Sequence, residues 1–95
     1  MVDQTKQRRI GFVGIIVYDP QNAYLKLNEI LHEFSSIIVG RLGLPYKERN
    51  LSIISLIIDG NNDEIGAMTG RIGQLPNVTI KTGLAKFTLE TDQTA

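Results

Sequence analysis

The sequence predicts an α+β sandwich in the order β-α-β-β-α-β, with a four-stranded antiparallel sheet carrying both helices on one face. Three observations predict it. Four stretches rich in β-branched and aliphatic residues alternate with two segments whose apolar residues recur at helical spacing. The second and third of these stretches are separated only by a short charged tip, which favours an antiparallel pair. The third, IISLII at residues 53–58, is apolar at both parities, although side chains alternate faces along a strand.

The first strand is expected over residues 9–18, RIGFVGIIVY, where Gly11 and Gly14 suggest a bulge or a close backbone approach. Asp19-Pro20 then starts a helix: Asp is a favoured N-cap, and Pro at the first helical position loses no hydrogen bond. That helix runs to about residue 35. Ala23, Tyr24, Leu27, Ile30, Leu31 and Phe34 form its apolar face, and Leu25 and His32 share its back. Strands follow at 37–44 and 51–59. Asn61 and Glu64 have the spacing of a capping box at the start of a second helix, whose stripe is Ile65, Met68, Ile72 and Leu75. Pro76-Asn77 ends it, and the last strand is expected over 78–87. The order is that of the ferredoxin-like fold, two split βαβ units. The domain spans 9–87, between flexible polar tails at 1–8 and 88–95.

Parity divides the two central strands. Val13, Ile15 and Val17 oppose Ile10, Phe12, Ile16 and Tyr18 on the first; Ile54, Leu56 and Ile58 oppose Leu51, Ile53 and Ile57 on the third. Two helices cover only one of these sets. The other is expected to be covered by a second copy, giving a homodimer or homotetramer through the sheet face or an edge strand, because exposed apolar patches of this kind mark interfaces.

Bulk properties narrow the function. The 95 residues suit one domain, and the formal net charge of zero supplies no global field for nucleic acid or an anionic membrane. The absence of cysteine excludes disulfides, thiolate metal sites and thiol catalysis. No apolar run approaches the ~20 residues of a membrane span, and no secretory signal pattern is present, so the expected location is the cytoplasm. With one histidine, no Ser-His-Asp or Cys-His arrangement can be assembled. Phosphate-loop and dinucleotide fingerprints are missing, and no cofactor motif is present.

The candidate sites are few. The strand-to-helix turn, Tyr18, Asp19 and Asn22, lies at a helix N-terminus that favours an anion, although Asp19 competes for the same donors. Arg41 interrupts an apolar strand. It is read either as an edge charge against aggregation or as an anion-binding or subunit-pairing residue, the polar exception within the interface face. His32 is read as a solvent or interface histidine, with a metal shared between subunits as the alternative. Gly66, Gly70 and Gly73 let a helix, the sheet or a partner approach closely, or leave room for a ligand.

The phrases HEFSSIIVGRLGLPY, the aliphatic third strand ending in Asp59-Gly60, and IGAMTGRIGQL together resemble the small regulators of the iron-only hydrogenase system, over residues 8–87. The resemblance implies an ACT-like ferredoxin fold, similar to the ligand-sensing C-terminal domain of nickel-responsive repressors. It also implies dimers or tetramers that bind small effectors at subunit interfaces. No match to the repressors' ribbon-helix-helix segment precedes the first strand, and their metal-binding His and Cys residues have no counterparts beyond His32. Direct nucleic-acid binding and nickel sensing are therefore not expected. The reading is a non-catalytic transcription-linked regulatory domain sensing a small effector, with Tyr18, Asp19 and Asn22 joined by Arg41 of a neighbouring subunit. The alternatives are a structural module that docks a protein partner, and a small oligomeric enzyme of the same fold.

Overall fold

The computed structural model describes residues 7–85, with Asn22 described by its backbone alone. The expected tails lie almost wholly outside the described residues. Arg8, assigned to the first tail, bonds through its Nε to Asp59 at 3.0 Å.

The elements are β1 (Arg9–Tyr18), α1 (Pro20–Glu33), β2 (Ile38–Tyr46), β3 (Leu51–Gly60), α2 (Asn62–Gly73) and β4 (Val78–Leu84). Single 3-10 turns, Ser35–Ile37 and Lys47–Arg49, precede β2 and β3. The sheet order is β2-β3-β1-β4, with every neighbouring pair antiparallel, as the ferredoxin-like reading requires.

One core lies between the helices and one face of the sheet. Val13, Ile15 and Val17 of β1 and Ile54, Leu56 and Ile58 of β3 are all at most 1% exposed. They meet Ala23, Leu27, Ile30 and Leu31 of α1 and Ile65, Met68 and Ile72 of α2. Tyr24, Phe34 and Leu75 pack at its margin. Each expected stripe is therefore the buried one.

The two helix starts differ. Asn61 closes the expected capping box: its Oδ1 accepts from the Glu64 N–H at 2.8 Å, and its own N–H donates to Glu64 Oε1 at 3.0 Å. Asp19 occupies the N-cap of α1 but makes no side-chain capping bond, and its backbone is left-handed, φ 53°. An ordinary cap is extended. Here the backbone N–H is committed elsewhere, to the Asn50 carbonyl at 3.3 Å, while Tyr18 N–H bonds the Asn77 carbonyl at 2.8 Å. Asn50 and Asn77 are also left-handed, at φ 52° and 62°. Asp and Asn tolerate this region better than other side-chain-bearing residues, so three tight reversals meet at one end of the sheet.

The glycines divide sharply. A Cβ on Gly11 would lie 2.5 Å from the Gly83 carbonyl, so the expected close approach is met there, whereas Gly14 has open space above it. Among the described residues, and apart from the adjoining backbone of α2 itself, nothing lies within 4 Å of a Cβ placed on Gly66 or Gly70. The expected packing of these two against α1 or the sheet is therefore not found.

Candidate functional site

The helix-free face of the sheet is an ordered grid. Register places Leu44, Ile53 and Ile16 in one row across β2, β3 and β1, and Gly40, Ile57 and Phe12 in another. Between them runs a row of Leu42, Ser55, Gly14 and Lys81. Phe12 is 68% exposed, Leu42 69% and Ile57 51%, and Tyr18, Leu44 and Tyr46 are also exposed. The central strands read as apolar at both parities because one set of side chains builds the core and the other builds this surface.

The end of the sheet where Asp19, Asn50 and Asn77 meet carries a depression on each side. On the open face, a hollow of about 290 Å³ is lined by Ile16, Tyr18, Tyr46, Arg49, Leu51 and Ile53. On the helix side, one of about 300 Å³ lies between Pro20, Gln21 and Tyr24 of α1 and the β2–β3 connection around Pro45, Asn50 and Ser52. Ser52 is fully buried there: it accepts from the Tyr24 hydroxyl at 2.5 Å and donates to the Leu44 carbonyl at 3.5 Å.

The sequence-derived candidates are thereby separated. Tyr18 belongs to the open face and Asp19 to the turn itself. The side chain of Asn22 lies outside the described residues. Arg41 is not the polar exception of the open face. A β-bulge between Ile38 and Gly40 inserts Val39 as an extra residue and reverses the parity of β2 beyond it. Arg41 consequently stands opposite the buried Leu56, and its Nη2 donates to Asn28 Oδ1 of α1 at 3.0 Å. Arg41 and the Tyr18 turn are not brought together within one chain. Arg41 instead shares a hollow with His32, on the exposed back of α1. Among the described residues, no three His, Cys, Asp or Glu side chains are grouped as metal ligands would be. No helix among them is long and apolar enough to cross a membrane.

Sequence reasoning missed Tyr46, Arg49, Tyr24 and Ser52. Each joins its hollow only through pairing of distant segments. The one available signal was Asn50, a residue suited to a left-handed reversal immediately before a strand.

The fold, a four-stranded antiparallel sheet with two helices on one face, defines a ferredoxin-like α+β domain of the ACT-like kind. More particularly, residues 9–82 match the TM1266-like family, described as "Iron-only hydrogenase system regulator, putative", and the chain belongs to that family. It is similar to the solved structure of uncharacterized protein TM1266 from Thermotoga maritima, with a TM-score of 0.81 at 41% identity over 84% of this chain and all of that one. It is 30% identical over 91 residues to a "Putative nickel-responsive regulator" of Saccharolobus islandicus, covering 94% of this chain and 68% of the relative. The nitrogen regulatory PII-like protein CPII of Thiomonas intermedia K12 shares the fold, with a TM-score of 0.53 at 8% identity over 84% of this chain and 92% of that one.

Proposed function

We propose that this member of the regulator family is a non-catalytic, cytoplasmic regulatory domain that assembles with copies of itself through the open sheet face. The observation that carries the reading is the apolar set of Phe12, Ile16, Leu42, Leu44, Ile53 and Ile57 on this face, crossed by Ser55 and Lys81, with several of the six more than half exposed. Full burial of an aliphatic or aromatic side chain contributes about 1.5–3 kcal/mol, and covering the exposed part of several of these supplies a drive for association.

The effector of this reading is a small molecule bound at the subunit interface. The hollow bounded by Tyr18, Tyr46 and Arg49 adjoins the grid at the end of the sheet, so a second copy laid on this face would close it. Asp19 would adjoin it from the turn that ends β1. A ligand enclosed between copies binds the assembled state preferentially, and this differential affinity is what shifts an equilibrium. Nickel is not carried over from the relatives' name, since this chain holds no cysteine and one histidine.

Native mass spectrometry of the protein purified from its host tests both parts. The expected result is a multimer retaining a small molecule that is lost when subunits separate. A monomer, or a multimer that neither retains a ligand nor is stabilised by any compound in a metabolite thermal-shift screen, would count against the effector reading and favour a purely structural docking module.

A further inference from the structure

The bulge at Val39 has a chemical consequence on the opposite side of the sheet from the proposed interface. It delivers Arg41 to the flank of α1, where a hollow of about 310 Å³ is lined by Asn28, Leu31, His32, Ser35, Ile38 and Arg41. Asn28 and His32 are one helical turn apart on α1, and Ser35 follows in the 3-10 turn, so three elements converge on it.

The lining is chemically one-sided. It combines a guanidinium, an imidazole, an amide and a hydroxyl with the apolar walls of Leu31 and Ile38, and it includes no carboxylate. Among the described residues, the arginines in ion pairs are Arg8, with Asp59 and Glu64, and Arg71, with Glu33. Arg41 instead bonds a neutral amide oxygen. One competing use of its charge would be to complement the negative C-terminal end of α1. Its bond goes to Asn28, well before the last turn, while the carbonyls of Ile30 and His32 accept from the Phe34 N–H. One bond to Asn28 leaves most of the five guanidinium N–H donors available, in a fork that matches an oxyanion.

We propose that this hollow binds a compact organic oxyanion, a carboxylate or phosphomonoester. Its charged end meets Arg41, with His32 and Ser35 beside it, and its apolar flank rests on Leu31 and Ile38. The site lies wholly within one chain and requires neither the interface nor the Tyr18 hollow, so its failure would leave the assembly reading intact.

The test is a nuclear magnetic resonance titration of the full chain with inorganic phosphate and, separately, with acetate, against sodium chloride at matched ionic strength. The expected result is a saturable shift of the Asn28 side-chain amide and the His32 ring with at least one of the two anions. In Arg41→Gln, binding should weaken about tenfold or more, as loss of a charge-assisted bond predicts. Saturation by phosphate alone assigns a phosphoryl group, and by acetate alone a carboxylate. His32→Gln provides a second variant, with a smaller loss expected. Shifts that are linear, that chloride reproduces, or that survive intact in Arg41→Gln would overturn the proposal. So would an Arg41→Gln variant that loses thermal stability while its anion response is unchanged, because the arginine would then be structural.

Discussion

Phe12 and Ile57 stand directly opposite each other on β1 and β3, on the face the helices leave open, and both are more than half exposed. The residue after Ile57 points the other way: Ile58 is fully buried beneath the helices. Side chains on the two faces of the sheet therefore report different events. Ile58→Ala removes core contacts and should destabilise by about 2–5 kcal/mol at every protein concentration. Phe12→Ala should leave the monomer's stability nearly unchanged and remove the part that grows with concentration, because assembly stabilises by mass action. Thermal unfolding across a concentration series separates the two.

The glycines of α2 and β1 predict substitutions of opposite sign. Gly70 has open space where a Cβ would go, so Gly70→Ala should stabilise the isolated chain by about 0.4–1 kcal/mol through helix propensity and unfolded-state entropy. Gly11→Ala would drive a Cβ to within 2.5 Å of the Gly83 carbonyl and should destabilise by roughly 1–3 kcal/mol. Urea unfolding of both variants checks the signs. A destabilising Gly70→Ala would show that the exposed stripe of α2 contacts a partner.

Asn61 tests the start of α2. Its side chain takes the Glu64 N–H while Glu64 returns a bond to the Asn61 N–H. Asn61→Ala removes the side-chain half of the box, leaving the backbone N–H of residue 61 to donate to Glu64, and should cost about 1 kcal/mol. For a domain of this size that lowers Tm by about 4–8 °C, measurable by circular dichroism.

Much of this architecture is legible in the sequence because it follows from periodicity. The 3.6-residue stripes of α1 and α2 and the alternation in β1 and β3 each name the buried side chains, and the buried set matches them. What was not legible depends on register and on pairing across the sheet. One extra residue at Val39 reverses β2, and nothing in IIVGRLGL marks which residue will be unpaired. Arg41 therefore moved from the expected open face to the α1 flank. Asp19 was readable as a helix start, but its left-handed backbone is imposed by bonds that Tyr18 and Asp19 make to Asn77 and Asn50, from elements far along the chain. Tyr24 and Ser52 meet across 28 residues, so the buried hydroxyl pair had no local signature.

Sedimentation velocity of the wild-type chain beside Ile57→Asp tests the central claim most directly. Ile57 is half exposed in the single chain, so an aspartate there leaves the core intact, yet a carboxylate buried in an apolar contact is strongly disfavoured. The wild type should sediment as a dimer or larger at micromolar concentration, and Ile57→Asp as a monomer with an unchanged circular dichroism spectrum. A wild-type monomer throughout that range, or an Ile57→Asp variant that sediments with the wild type, would contradict the open sheet face as the subunit contact.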